Sequence, residues 1–138
     1  MIAKNLGQQA VLRGHSVLYT TASAMVIDLG AQENKAALQR KLRFYESRDL
    51  LIVDEIGYLA FDCKAADFVF EIVNRRYEKG SIIITTNLAF KEWGQIFPGA
   101  PCVTAMIDRL THHARIIKVD GDSYRLRESR RGKEKANA

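Results

Sequence analysis

The chain has 138 residues, of which 47% are hydrophobic and 27% charged, and a formal net charge of +5, values that fit one globular domain with a real core. Its two cysteines, Cys63 and Cys102, have no metal-type spacing and are expected as free thiols of a cytosolic chain. No apolar run approaches the roughly 20 residues that span a bilayer, and the N-terminus lacks the parts of a signal peptide, so a cytoplasmic setting without a membrane is expected.

Residues 1–13 read as a helix. Ile2, Leu6 and Val11 with Ala3 and Ala10 make its apolar stripe, and Gly14 ends it. Residues 16–20 predict a short strand, with His15 before it in a structural role. Thr21 or Ser23 can cap a helix over 22–29. A charged helix over 34–47 follows, apolar at Ala37, Leu38, Leu42 and Tyr45, and wet at Lys35, Arg40, Lys41 and Arg43.

Residues 50–58, Leu-Leu-Ile-Val-Asp-Glu-Ile-Gly-Tyr, organise the rest. Four apolar residues without alternation suit a parallel strand buried on both faces. Asp54 and Glu55 stand at its C-terminal end, where open α/β sheets place their ligands. In P-loop NTPases this arrangement is the Walker B motif: the aspartate holds the nucleotide's Mg²⁺, and a following glutamate activates the attacking water. The plainer alternative is a buried strand ending in a solvated acidic turn.

Asp62 can cap a helix over 64–78 whose stripe of Ala66, Val69, Phe70, Val73 and Tyr77 faces the core, and Lys79-Gly80 closes it. Residues 81–87, Ser-Ile-Ile-Ile-Thr-Thr-Asn, predict a second fully buried strand ending in polar residues. Short helices over 90–96, with Trp93 half buried, and over 101–112 flank the break at Pro98-Gly99. Residues 115–119 predict a last strand, and Gly121-Asp122 turns it toward Ser123-Tyr124-Arg125. From Arg125 to Ala138 six basic residues face two acidic ones, so this segment holds +4 of the net +5. It reads either as a tail that meets nucleic-acid phosphates or as a disordered, solvated terminus. The alternation of strands and helices predicts an α/β fold with a mainly parallel sheet covered on both faces. A domain over 1–126 and a basic tail over 127–138 are expected.

Parallel strands bring Asp54-Glu55 and Thr86-Asn87 to one edge of the sheet, where two carboxylates and an amide can meet one ligand. That is the logic of phosphoryl transfer, positioning plus charge stabilisation. Arg109 and Arg125 are available as the positive charges.

In these segments the chain resembles the IstB-like ATPase helpers of bacterial insertion sequences, which are AAA+ P-loop NTPases related to the DnaC-type helicase loaders. The resemblance runs over Leu50 to Leu59, Arg75 to Leu88, Glu92-Trp93-Gly94, Asp108-Arg109-Leu110 with His112-His113, and Gly121 to Arg127, in order along nearly the whole chain. It implies ATP and Mg²⁺ as cofactors, DNA and a transposase as partners, and self-association into an AAA+ oligomer. By position it implies Asp54 as the magnesium aspartate, Glu55 as the catalytic glutamate and Asn87 at the sensor-one position. Arg109 resembles an arginine that reaches a neighbouring subunit's nucleotide, and Arg125 a sensor-two arginine; the two can exchange roles. Alternatively, Asp108-Arg109 is a surface pair and Arg125 merely opens the tail.

The family's phosphate loop, G-x-x-x-x-G-K-[ST], occurs nowhere in the sequence. The expectation is a chain that starts just after that loop and lacks the central strand before it, between the strands at 81–87 and 115–119. Those strands then pair directly, giving four strands, or the gap between them fills with another chain or stays open. An impaired or inactive fragment of a transposition helper is therefore expected. A replicative helicase loader and a non-enzymatic DNA-binding or interaction remnant are the alternatives.

Overall fold

A three-stranded parallel sheet carries the fold, with β2 (Leu50–Ile56) between β1 (Val17–Thr21) and β3 (Ser81–Thr86). The structure is a computed structural model that describes residues 2–58 and 60–121, with Glu128 and Arg131 beyond them. β2 is central because Leu50, Leu51, Ile52 and Val53 are all apolar and all buried. Leu51 and Val53 face the main core, which is built with α2 (Ala22–Gly30), α3 (Lys35–Glu46) and α4 (Cys63–Arg76). On the other face α1 (Ile2–Leu12) packs over Ile52 and Val17. Helices therefore cover both faces of the sheet, as expected.

Side-chain oxygens cap three helices, two of them, at Thr21 and Asp62, as the sequence predicts. Thr21 accepts from the Ala24 N–H at 3.1 Å, Asn34 from Ala37 at 2.9 Å and Asp62 from Ala65 at 2.7 Å. Each bond satisfies a donor that the first helical turn leaves free. After β3, a 3₁₀ turn over Phe90–Glu92 leads into α5 (Trp93–Ile96) and then α6 (Val103–His112).

The structure corrects four expectations. Ile2, Leu6 and Val11 are exposed, and α1 turns Ala3, Gly7 and Ala10 to the sheet instead. The reason is close approach: a Cβ at position 7 would lie 2.8 Å from Cδ1 of Ile52. Trp93 is fully buried, not half buried, and packs between Phe90 and Phe97 with ring centroids 5.0 and 6.1 Å away. β3 is half-buried along Ile82–Thr85, because only β2 pairs with it among the described residues. Residues 115–119 form no strand, and Ile116, Ile117 and Val119 are 69–73% exposed. A segment with no ladder partner leaves its backbone groups to water, and among the described residues nothing pairs with the outer edge of β3. Arg125 and the tail at 127–138 lie outside the described residues, apart from Glu128 and Arg131.

One side chain ties the elements together at the N-terminal edge of the sheet. Arg76, 2% exposed at the end of α4, donates to the carbonyls of Tyr45, Glu46, Arg48, Asp49 and Ser81. It thus joins the end of α3, the entry to β2 and the start of β3. Gly80 makes room for it: a Cβ there would lie 2.7 Å from Nη2 of Arg76.

Candidate functional site

At the opposite edge, Asp54 and Glu55 lie just before the last residue of β2. The pairing shifts between Val53↔Ile84 and Ile56↔Thr86, so β2 carries one more residue than β3 there, a bulge. Within it Glu55 has a φ of 64°. For a residue other than glycine that left-handed conformation costs about 1–2 kcal/mol, and such strain gathers at functional sites. The turn exposes the Glu55 side chain and leaves Asp54 half-buried beside it.

Asp54 is held from both neighbouring strands. Thr85 of β3 donates its hydroxyl to Oδ1, and Tyr19 of β1 donates to Oδ2. The Thr85 oxygen also accepts the Glu55 N–H at 3.0 Å, so one threonine fixes both halves of the bulge. Burial pushes the Asp54 carboxyl up, but the Thr85 and Tyr19 hydroxyls, the Glu55 N–H and the charge of Lys4 outweigh it and hold it below the usual carboxylate range. The same contact to Asp54 comes first in pushing the Tyr19 phenol up to about 12, with burial and the charges of Asp54 and Glu55 adding to it. Lys4 lies over the Tyr19 ring at 4.8 Å.

Asn87, just beyond β3, is exposed and lies against the turn after β2. Its Oδ1 stands 2.6 Å from where a Cβ on Gly57 would be. Gly57 has a φ of 108°, so it provides both the turn and the space for the amide. Asp54, Glu55 and Asn87 therefore share one edge of the sheet, as the strand ends predicted.

Arg109 does not join them. It lies on α6, its guanidinium donates to the Ala105 carbonyl at 3.2 Å, and it stacks over Phe70 and Tyr77 of the α4 segment. Arg125 lies outside the described residues. Tyr19, Thr85 and Lys4 are the site residues that sequence reasoning missed. Thr85 had a signal, since pairing Val53 with Ile84 puts the next residues of the two strands side by side. Tyr19 and Lys4 had none, because their contact depends on how α1 crosses β1.

Ionised, oxygen-only and at a solvent-accessible edge, Asp54 fits a Mg²⁺ that keeps most of its waters. Each of its oxygens retains a lone pair beyond the hydroxyl bond that it accepts. The G-x-x-x-x-G-K-[ST] cradle for a triphosphate does not occur in these 138 residues, and the cation beside Asp54 among the described residues is Lys4.

Comparisons with known proteins point to one family. The family described as IstB-like ATP binding protein matches residues 1–132. An ATP-binding protein of insertion sequence IS5376 from Geobacillus stearothermophilus is 41% identical over 134 residues, covering 97% of this chain and 53% of the relative. The IS21 ATP-binding protein of Pseudomonas aeruginosa is 40% identical over 130 residues, 94% of this chain and 49% of its own length. The chain thus spans about half the length of the curated relatives it matches. Among solved structures, AMPPCP-bound DnaA from Aquifex aeolicus superposes with a TM-score of 0.66 at 19% identity, over 94% of this chain and 39% of that one. A DNA replication initiation factor gives 0.68 at 18% identity, over 95% and 39%. The likeness at this identity is one of fold, the α/β fold of AAA+ P-loop NTPases. With the family matching residues 1–132 of the 138, the chain belongs to the IstB-like ATP-binding proteins.

Proposed function

We propose that this chain is the carboxylate-bearing part of an ATP-binding helper of DNA transposition. The observation that carries the reading is the bulge at the end of β2, where Asp54 is held ionised by Tyr19 and Thr85 and Glu55 is presented in a strained, exposed turn. In this reading Asp54 holds the Mg²⁺ of a bound nucleotide, Glu55 takes the proton of the attacking water, and Asn87 orients that water or a phosphate oxygen. Mg²⁺ supplies charge neutralisation at the phosphates.

Arg109 lies along Phe70 and Tyr77 and makes no hydrogen bond to Asp54 or Glu55 among the described residues. That position supports a role toward a neighbouring subunit in an oligomer. Arg125 is assigned to the bound nucleotide, and the basic residues after it to DNA phosphates, because charge is the term that DNA binding draws on most. The relatives' names tie them to insertion sequences, which supports a transposase over a replicative helicase as partner.

The test is to join a strand and a G-x-x-x-x-G-K-[ST] loop in front of these 138 residues and measure ATP turnover. Hydrolysis should require Mg²⁺, and Glu55→Gln should keep nucleotide binding while losing ~10²–10⁴-fold in rate. Full turnover by the Glu55→Gln protein would remove Glu55 from the role of base.

A further inference from the structure

The two adjacent histidines near the end of α6 have no part in the site above. His112 is the last residue of the helix, and His113 leaves it with φ −122° and ψ 14°. Neighbouring residues on a helix point in different directions, but this exit lets the two rings converge, with centroids 4.1 Å apart. Across from them the turn after α4 presents Glu78 at a φ of 58°, a second left-handed residue other than glycine. Its carboxylate is 3.1 Å from Nε2 of His113. One ligand atom from each of Glu78, His112 and His113 lies within 4.8 Å of the others, and all three residues are exposed.

Two further contacts prepare these groups. Tyr77 shares a hydrogen bond with Nδ1 of His112, which leaves Nε2 as the nitrogen free for a ligand. This is the kind of partner that orients metal-bound imidazoles. The Tyr77 ring also stacks on both histidines, with centroids at 5.9 and 6.4 Å. Behind it the turn is pinned, since the Lys79 and Gly80 N–H groups both bond to the Arg76 carbonyl at 3.0 Å.

We propose that Glu78, His112 and His113 form a binding site for a divalent transition-metal ion of the zinc type. Two imidazoles and one carboxylate with an open fourth position are a known zinc donor set. Imidazole donors select against Mg²⁺ and Ca²⁺, which take oxygen. Tetrahedral bonds of about 2.0–2.1 Å put ligand atoms roughly 3.3 Å apart, and exposed side chains close the present spacing by rotamer changes. Glu78 supplies the negative charge that offsets Arg109, whose guanidinium lies 6.0 Å from the Tyr77 ring. A bound ion would clamp the end of α6 to the turn between α4 and β3.

The test uses the full chain without a histidine tag, in a Cys63→Ser/Cys102→Ser background that removes thiolate binding. Zinc is titrated in competition with a chromophoric chelator. One Zn²⁺ per chain is expected, insensitive to excess Mg²⁺. His112→Ala, His113→Ala and Glu78→Gln should each weaken it by more than about tenfold, and Tyr77→Phe by about tenfold, with His15→Ala unchanged. Independently of variants at the site, Zn²⁺ should shift two of the three histidine ring-proton NMR signals, and the pair should persist in His15→Ala. Zinc affinity that survives loss of both histidines, or NMR signals that do not move, would overturn the site.

Discussion

Tyr19 and Asp54 couple two ionisations in opposite directions, and the sign can be worked out for each. The Tyr19 phenol is raised to about 12. Its contribution to stability is therefore fully present below its ordinary value of about 10 and is lost as pH rises from there toward 12. The Asp54 carboxyl is lowered, so its contribution is present above about 3.9 and is lost as pH falls through the lowered value. Asp54→Asn removes the charge that both shifts share. Phenolate absorbance followed through alkaline pH should then show one of the five tyrosines returning toward 10. An unchanged curve would mean that Tyr19 does not donate to Asp54. At this scale Asp54, Glu55 and Asn87 were legible because each ends a run of apolar, strand-forming residues. Tyr19 and Lys4 were not, since their partners are chosen by packing across elements. Arg76 reads in the sequence as one of two basic residues at a helix end, and only the fold shows it buried.

Among elements, the edge opposite the candidate site is held by Arg76 and by the space that Gly80 leaves for it. Arg76→Met keeps much of the volume but strands five carbonyls that the guanidinium serves. Unpaired buried polar groups cost about 1–3 kcal/mol each, and those nearest solvent recover water, so a loss of roughly 3–5 kcal/mol is expected. Gly80→Ala pushes a methyl into a guanidinium fixed by those same bonds and should cost about 1–3 kcal/mol. Because the two act on one group, the double variant should lose little more than Arg76→Met alone. Urea unfolding of the four proteins measures this, and additive losses would separate Gly80 from Arg76. The elements themselves followed from periodicity and caps, as Thr21 and Asp62 show, while the Asn34 cap was found only in the structure. Two things did not. The stripe of large residues on α1 pointed outward because small residues allow a closer contact than large ones. Residues 115–119 have strand-like composition, but strand pairing is a long-range contact that composition does not supply, and the outer edge of β3 is unpaired among the described residues.

For the whole chain, the question is what half of the relatives' length can do on its own. Asp54 is prepared for a hydrated cation, and Glu55 beside it adds a second negative charge. A triphosphate meets these carboxylates as like charges unless Mg²⁺ stands between them. In nucleotide sites of this fold class most affinity comes from backbone N–H groups and a lysine around the phosphates, and these 138 residues contain no such loop. Lys4 is already engaged over Tyr19 and beside Asp54, so freeing it for a phosphate would cost the carboxylate one of the groups that keep it ionised. The 138-residue polypeptide should therefore show no heat of binding on titration with Mg·ATP at micromolar concentrations. Micromolar affinity corresponds to about 8 kcal/mol, far more than one lysine and a water-bridged Mg²⁺ provide at an exposed edge. The same titration on the protein joined to a phosphate loop should give a clear isotherm that Asp54→Asn weakens. Micromolar binding by the 138 residues alone would show that this sheet edge cradles phosphates by other means, and the division of labour proposed for Asp54 and Glu55 would have to be redrawn around Lys4.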